Sequence, residues 1–163
     1  GVFYLNHRID APKARIRPDG DGREWRSDQA LFIGSDSPTE TIFRACHDGK
    51  RLYLLAEQFD PASTGGAEIR LSVECGGRRV DLTIASDGSV ASPIPGVRGA
   101  SRAGLTPAGV PGRATEIAVP LAALQTRPGD TLRFNATVRS GAVEDGFTAA
   151  TDDPETWMRI ELK

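Results

Sequence analysis

Histidines, cysteines and paired acids carry most protein chemistry, and their spacing in this chain argues against catalysis. His7 stands near the start and His47 at a polar turn, and neither belongs to a metal-ligand cluster. Cys46 and Cys75 lack metal-ligand spacing and are too few for a disulfide scaffold. Each falls on the apolar side of its strand by alternation, so buried free thiols are expected, with a bridge across the core as the alternative. Hydrolysis by paired carboxylates needs two acids fixed close together in a cleft, whereas the acids here fall mainly in turns or on solvent faces. The Gly-x-Ser-x-Gly elbow, the phosphate-binding P-loop and the His-Glu-x-x-His helix are absent from the sequence. Asp19-Gly20-Asp21-Gly22 lacks the later bidentate Glu of a calcium loop. A non-catalytic protein is expected.

Charge narrows what the chain binds. With 20 basic and 22 acidic residues the formal net charge is -2, and no clustered excess of cations offers itself to nucleic acid or anionic lipid. Seventeen of the cations are Arg, scattered along the chain, which reads as compositional bias rather than as an anion site. No apolar run approaches the roughly 18 residues of a membrane span, so no membrane insertion is expected. The N-terminus lacks the charged-then-apolar order of a signal peptide, and Gly1 in place of an initiator Met reads as an expression scar. The expectation is a soluble, monomeric piece of a larger protein, for which secretion stays open. At 163 residues a single domain suffices.

The elements that would position a site are strands. Short alternating runs recur between Gly, Pro, Asp and Ser clusters and helical periodicity is nearly absent, which predicts an all-β, antiparallel β-sandwich. Leu52, Leu54 and Ala56 point one way while Tyr53, Leu55 and Phe59 point the other, as in a central strand buried on both faces. Over residues 68–75 the odd positions are apolar, and after Gly76-Gly77 the even positions of 78–84 are apolar. A two-residue turn then sets Val73 opposite Val80, Leu71 opposite Leu82 and Ile69 opposite Ile84, with Glu74 against Arg79 on the wet face. Residues 93–111, punctuated by Pro93, Pro95, Pro107 and Pro111, read as a long, mobile surface loop. A strand over 114–119 is stopped by Pro120 and followed by about one helical turn. Residues 131–139 alternate with Leu132, Phe134, Ala136 and Val138 inward, and in the last strand, 157–162, Met158, Ile160 and Leu162 share a face. Residues 1–12 are expected to be an N-terminal extension or linker, and 13–163 the sandwich.

Five segments, taken in order, carry a family likeness. Arg17-Pro18-Asp19-Gly20-Asp21-Gly22-Arg23-Glu24-Trp25 looks like an "IDGxxDExW" opening, and His47 to Pro61 matches a "DDxxLYVxxxVxDP" hairpin. Glu116-Ile117-Ala118-Val119-Pro120 matches "EIAIPW", residues 128–135 match "PGDxxxFN", and residues 153–162 resemble a closing "DPxxFGxLxL". From about Lys13 onward the chain therefore resembles the family 9 carbohydrate-binding modules, a DOMON-like β-sandwich family. The resemblance implies a jelly-roll or immunoglobulin-like two-sheet fold with Trp25, Tyr53, Asp60, Pro120 and Asn135 as its structural motif residues. It further implies an extracellular, periplasmic or cell-surface accessory module of a polysaccharide-active protein.

Family members that hold a sugar end do so between two tryptophans, because a ring face stacked on a pyranose gains contact area while hydroxyls take edge hydrogen bonds. At those places this chain has residues 62–67, Ala-Ser-Thr-Gly-Gly-Ala, and Thr151, so both platforms are missing. Trp25 is expected to pack in the core. Trp157 is expected to pack under a loop, with ligand stacking as the alternative, and Phe147 is the one aromatic placed to substitute for a platform. Phe147, Trp157, Thr151 and Arg139 are the candidate ligand-binding residues. No cofactor is expected beyond a structural calcium that some family members carry, for which Asp19, Asp21, Asp60 and Asp152 are the candidate ligands. Related sandwiches bind haem through an axial Met, but Met158 belongs to an apolar stripe and is expected to pack. The partner is expected to be carbohydrate or, if the sugar site has been lost, neighbouring domains of the same polypeptide.

Overall fold

The structure is a computed structural model that describes residues 8–21, 25, 29–34, 39–59, 67–105, 111–147 and 152–163. Within these residues two sheets make an all-β sandwich. The first sheet runs in the order β1 (Arg8–Ala11), β12 (Met158–Leu162), β10 (Thr131–Ser140), β5 (Glu68–Cys75), β6 (Arg78–Ile84), β7 (Val90–Ala91). A further strand, β11 (Val143–Gly146), pairs with β10 beyond the end of β12. The second sheet runs β2 (Leu31–Ile33), β3 (Thr41–His47), β4 (Arg51–Gln58), β9 (Pro111–Pro120), β8 (Arg98–Leu105). Pairing is antiparallel throughout except between β1 and β12.

Alternation decides what lies between the sheets. The first sheet turns Ile69, Leu71 and Val73 of β5, Val80, Leu82 and Ile84 of β6, and Leu132, Phe134, Ala136 and Val138 of β10 inward, all of them buried. The second sheet answers with Leu31, Ile33, Phe43, Ala45, Leu52, Leu54, Ala56, Ile117 and Val119. Phe43 meets Phe134 edge to face at 5.3 Å between ring centroids, an arrangement the ring quadrupoles favour. Each large side chain enclosed here contributes roughly 1.5–3 kcal/mol relative to an exposed one. The β5–β6 hairpin has the register expected from its pattern, with Val73 opposite Val80, Leu71 opposite Leu82, Ile69 opposite Ile84 and Glu74 opposite Arg79. Gly76 and Gly77 both take positive φ, +58° and +86°, as the two-residue turn that matches strand twist requires. Pro120 ends β9, and a 3-10 turn over Leu121–Leu124 follows as expected.

Two expectations are corrected. Residues 98–105, read as part of a long loop, form strand β8, an edge strand paired with β9 along its length. Its alternation is faint because it is poor in large apolar side chains, and Gly99 is needed where it is: a Cβ there would stand 2.4 Å from the Val90 side chain of β7. Residues Arg8–Ala11, placed in an N-terminal extension, form β1, and Ile9 and Ala11 are buried in the core. A four-residue strand with two inward side chains is too short a pattern to stand out in sequence.

Strand β4 is buried on both faces, as its apolar pattern demands. The cover over its outer side is the segment that follows β1. Ala14 donates its backbone N–H to the His47 carbonyl at 2.7 Å, and His47 donates to Pro12 at 3.0 Å. From there Ile16 and Trp25 pack on Cys46, Tyr53 and Ala118. Gly20 is required in this strap by its φ of +83° and because a Cβ would stand 2.8 Å from the Ser101 backbone of β8.

Candidate functional site

The outward positions of the first sheet are the polar half of the same alternation. Strand register sets them in rows. Arg159, Arg133, Glu74 and Arg79 form one row across β12, β10, β5 and β6. Asn135, Ser72 and Asp81 form the next, and Trp157 stands one step past the Phe134–Met158 pair, opposite Asn135. Thr137, Arg70 and Thr83 form a third row, and Glu144, Arg139 and Glu68 a fourth.

A groove of about 400 Å³ lies on these rows, lined by Arg70, Ser72, Arg79, Asp81, Thr83, Asn135, Thr137 and Glu144, with Leu71 and Leu82 between them. It spans four strands, about 14 Å at the usual strand spacing. Its charges balance, two Arg against two acids. Ser72 Oγ donates to Asp81 Oδ1 at 2.6 Å, and Arg79 Nε reaches the same oxygen at 2.7 Å. Burial alone would push the Asp81 carboxyl up, but these hydrogen bonds and the Arg79 charge hold it below the ordinary carboxylate range. Asp81 is therefore an ionised acceptor at neutral pH and no general acid. Arg70 is paired with Glu68 at 3.1 Å, and Arg139 approaches Glu68 at 3.7 Å. Asn135 is buried, and its Oδ1 has no hydrogen-bond partner; the same holds for Arg133 Nη1 two residues away on the same face. A buried acceptor and a buried donor left unsatisfied on one strand face are costly unless an occupant completes them. Side-chain hydroxyls, an amide and an ionised carboxylate around one groove suit a ligand rich in hydroxyl groups, since each hydroxyl both donates and accepts.

The sequence candidates separate here. Trp157 is 3% exposed and faces this polar surface, with the Arg79 guanidinium over its ring. Arg139 is exposed in the outermost row. Asn135, read as a structural motif residue, lies in the groove itself. Phe147 does not join them. Its N–H bonds to the Ala136 carbonyl at 3.3 Å, and its ring turns inward onto Phe43 and Phe134 at 5.8 and 5.7 Å. One edge of β10 thus offers Trp157 to the outer face and Phe147 to the core. Thr151 and Asp60 lie outside the described residues. Arg70, Ser72, Asp81, Thr83, Thr137 and Glu144 were not singled out in sequence, although alternation marks all but Glu144 as outward; what it lacks is any sign of which outward face is left open.

The opposite outer face is built from charges that are closed in. Glu57 and Glu116 are fully buried; Arg44 Nε meets Glu57 Oε1 at 3.0 Å, and Trp25 donates its indole N–H to Glu116 Oε2 at 3.0 Å. The Tyr53 hydroxyl donates to Asp48 at 2.7 Å, and burial together with that carboxylate pushes the phenol up to about 12. Asp48 also accepts the Lys50 and Arg51 amides, so that its carboxyl, which burial alone would raise, is held low. Of the candidate calcium ligands, Asp19 accepts the Asp21 amide at 2.8 Å, Asp21 lies 3.9 Å from Arg102, and Asp152 is exposed. Among the described residues no group of three or more His, Cys, Asp or Glu is disposed to hold a metal ion. Cys46 is a buried free thiol and Cys75 a half-buried one. No helix among the described residues is long and apolar enough to cross a membrane.

These features define an all-β sandwich with one covered outer face and one grooved outer face. No protein-family model matches the chain, and no curated protein matches it in sequence.

Proposed function

We propose that the chain is a non-catalytic, carbohydrate-binding accessory module of a larger extracytoplasmic protein, with the grooved face of the first sheet as its binding surface. The observation that carries this reading is the charge-balanced groove with an unsatisfied Asn135 carbonyl at its floor. A charge-balanced surface of mixed polar and apolar lining gives no net attraction to an ionic ligand, and it matches a neutral sugar, whose ring faces are apolar and whose edges carry hydroxyls. Binding would be held by hydrogen bonds from Ser72, Thr83, Asn135 and Thr137, with Asp81 as a strong acceptor.

Titration calorimetry with cellohexaose, xylohexaose and mannohexaose tests the reading. Heat with at least one of them, lost or weakened at least tenfold in Asn135→Ala, supports it. The competing reading is a structural module that contacts neighbouring domains, and the inward turn of Phe147 favours it, since the expected substitute platform is spent on packing. Absence of heat with all three sugars would favour that second reading.

A further inference from the structure

Trp157 is buried, yet it belongs to neither apolar cluster among the described residues. Among the groups that lie against its ring is a cation. Arg79 reaches over from β6 so that its Cζ stands 5.0 Å from the ring centroid. It is tethered by Asp81 at 2.7 Å and by Ser72 Oγ, which accepts from Nη2 at 3.3 Å. The tether is in water, with the side chains of Arg79 and Asp81 36% and 59% exposed. Ion pairs so exposed contribute little, and the guanidinium, whose inner face rests on the buried ring, keeps its outer side in water.

We propose that Arg79 is a displaceable cover and that Trp157 beneath it is the stacking platform for one pyranose ring of a neutral glycan chain lying in the groove. This rests on the carbohydrate reading above. A guanidinium and a pyranose ask the same thing of an indole: each lays a flat face on the ring and keeps its polar edge free for hydrogen bonds. When the sugar arrives, the guanidinium moves off the ring and stays paired with Asp81. One step past the Phe134–Met158 pair that ends the β10–β12 ladder, the vacated place borders Asn135, and Arg133 lies on the same face two residues along. Their unpartnered Oδ1 and Nη1 then accept from one hydroxyl and donate to another. The ligand class follows from the lining: a cationic sugar meets Arg70 and Arg79, an anionic one meets Asp81 and Glu144, and a neutral one meets no uncompensated charge.

The test uses the full chain and its two indole N–H signals in nitrogen-15 NMR, Trp25 and Trp157, assigned with Trp157→Phe. The oligosaccharide that gives heat in calorimetry is titrated into wild type and Arg79→Ala. The expected results are a shift of the Trp157 signal with Trp25 unmoved, and binding about two- to thirty-fold tighter in Arg79→Ala, the range that loss of a competing cation–π contact spans between its exposed and desolvated limits. Without ligand, Arg79→Ala should also make tryptophan fluorescence more quenchable by iodide. Heat of binding with an unmoved Trp157 signal, or weaker binding in Arg79→Ala, would overturn the cover while leaving the carbohydrate reading in place. No heat in either protein would sink both, and unchanged iodide quenching in Arg79→Ala would by itself show that Arg79 covers nothing.

Discussion

Across the second sheet the outer row Arg44, Leu55, Glu116 is closed over, with Leu55 and Glu116 fully buried and Trp25 bonded to the carboxylate. Across the first sheet the equivalent row, Asn135, Ser72, Asp81, borders a groove. Both rows come from strands of the same sandwich, and both contain ionised groups. The difference is the strap, described over residues 12–21 and at Trp25, which covers only one of them. A face that is to be covered needs apolar and paired groups, because an uncompensated buried charge is costly. A face that is to meet a ligand keeps neutral hydrogen-bonding groups in reach and holds its ions in exposed pairs. On this account the covered face contributes stability and the grooved face contributes recognition.

Substitutions on the two faces should therefore be unequal. Leu55→Ala, on the outer but covered side of β4, should cost about 2–5 kcal/mol in urea denaturation, as for a core leucine. A loss below about 1 kcal/mol would mean that the cover does not exclude water. Trp25→Phe keeps a ring but removes the donor to buried Glu116, and about 1–3 kcal/mol should be lost. Thr137→Ala, on the grooved face, should change stability by no more than about 0.5 kcal/mol while weakening glycan binding. Equal losses in Leu55→Ala and Thr137→Ala would erase the distinction.

The anchor of the strap should respond to pH. His47 is fully buried, Nδ1 accepts the Gly49 amide at 3.1 Å, so the proton sits on Nε2, which has no partner. Burial, and after it the Lys13 charge, hold the imidazole below its ordinary value of 6.5, with Asp48 opposing. The unfolded chain thus takes up a proton near pH 6.5 while the folded chain resists it. Stability should be full above that pH and fall as pH drops below it, until the folded imidazole titrates in turn. Denaturant midpoints between pH 7.5 and 5.5 should show the fall in wild type and a shallower one in His47→Gln.

The fold was legible wherever the pattern repeated. The β5–β6 register could be read from Ile69, Leu71 and Val73 against Val80, Leu82 and Ile84, because a one-residue slip would reverse every face. β8 could not, since glycine and alanine at its exposed edge leave no alternation to read. The site was half legible. Alternation marked Ser72, Asp81 and Thr137 as outward, but it marked Glu57 and Glu116 the same way, and only the path of a distant segment separates the open from the covered. Phe147 was misleading for a related reason: its facing depends on how the chain after β11 returns along β10, which no local spacing records.

Chemical-shift mapping of the backbone amides during an oligosaccharide titration tests the central claim most directly. The account predicts that perturbed amides cluster on β5, β6 and β10 around Ser72, Asp81, Asn135 and Thr137, while those of Ala14, Ile16 and Trp25 stay still. Perturbations centred on the strap, with the groove residues unmoved, would contradict it.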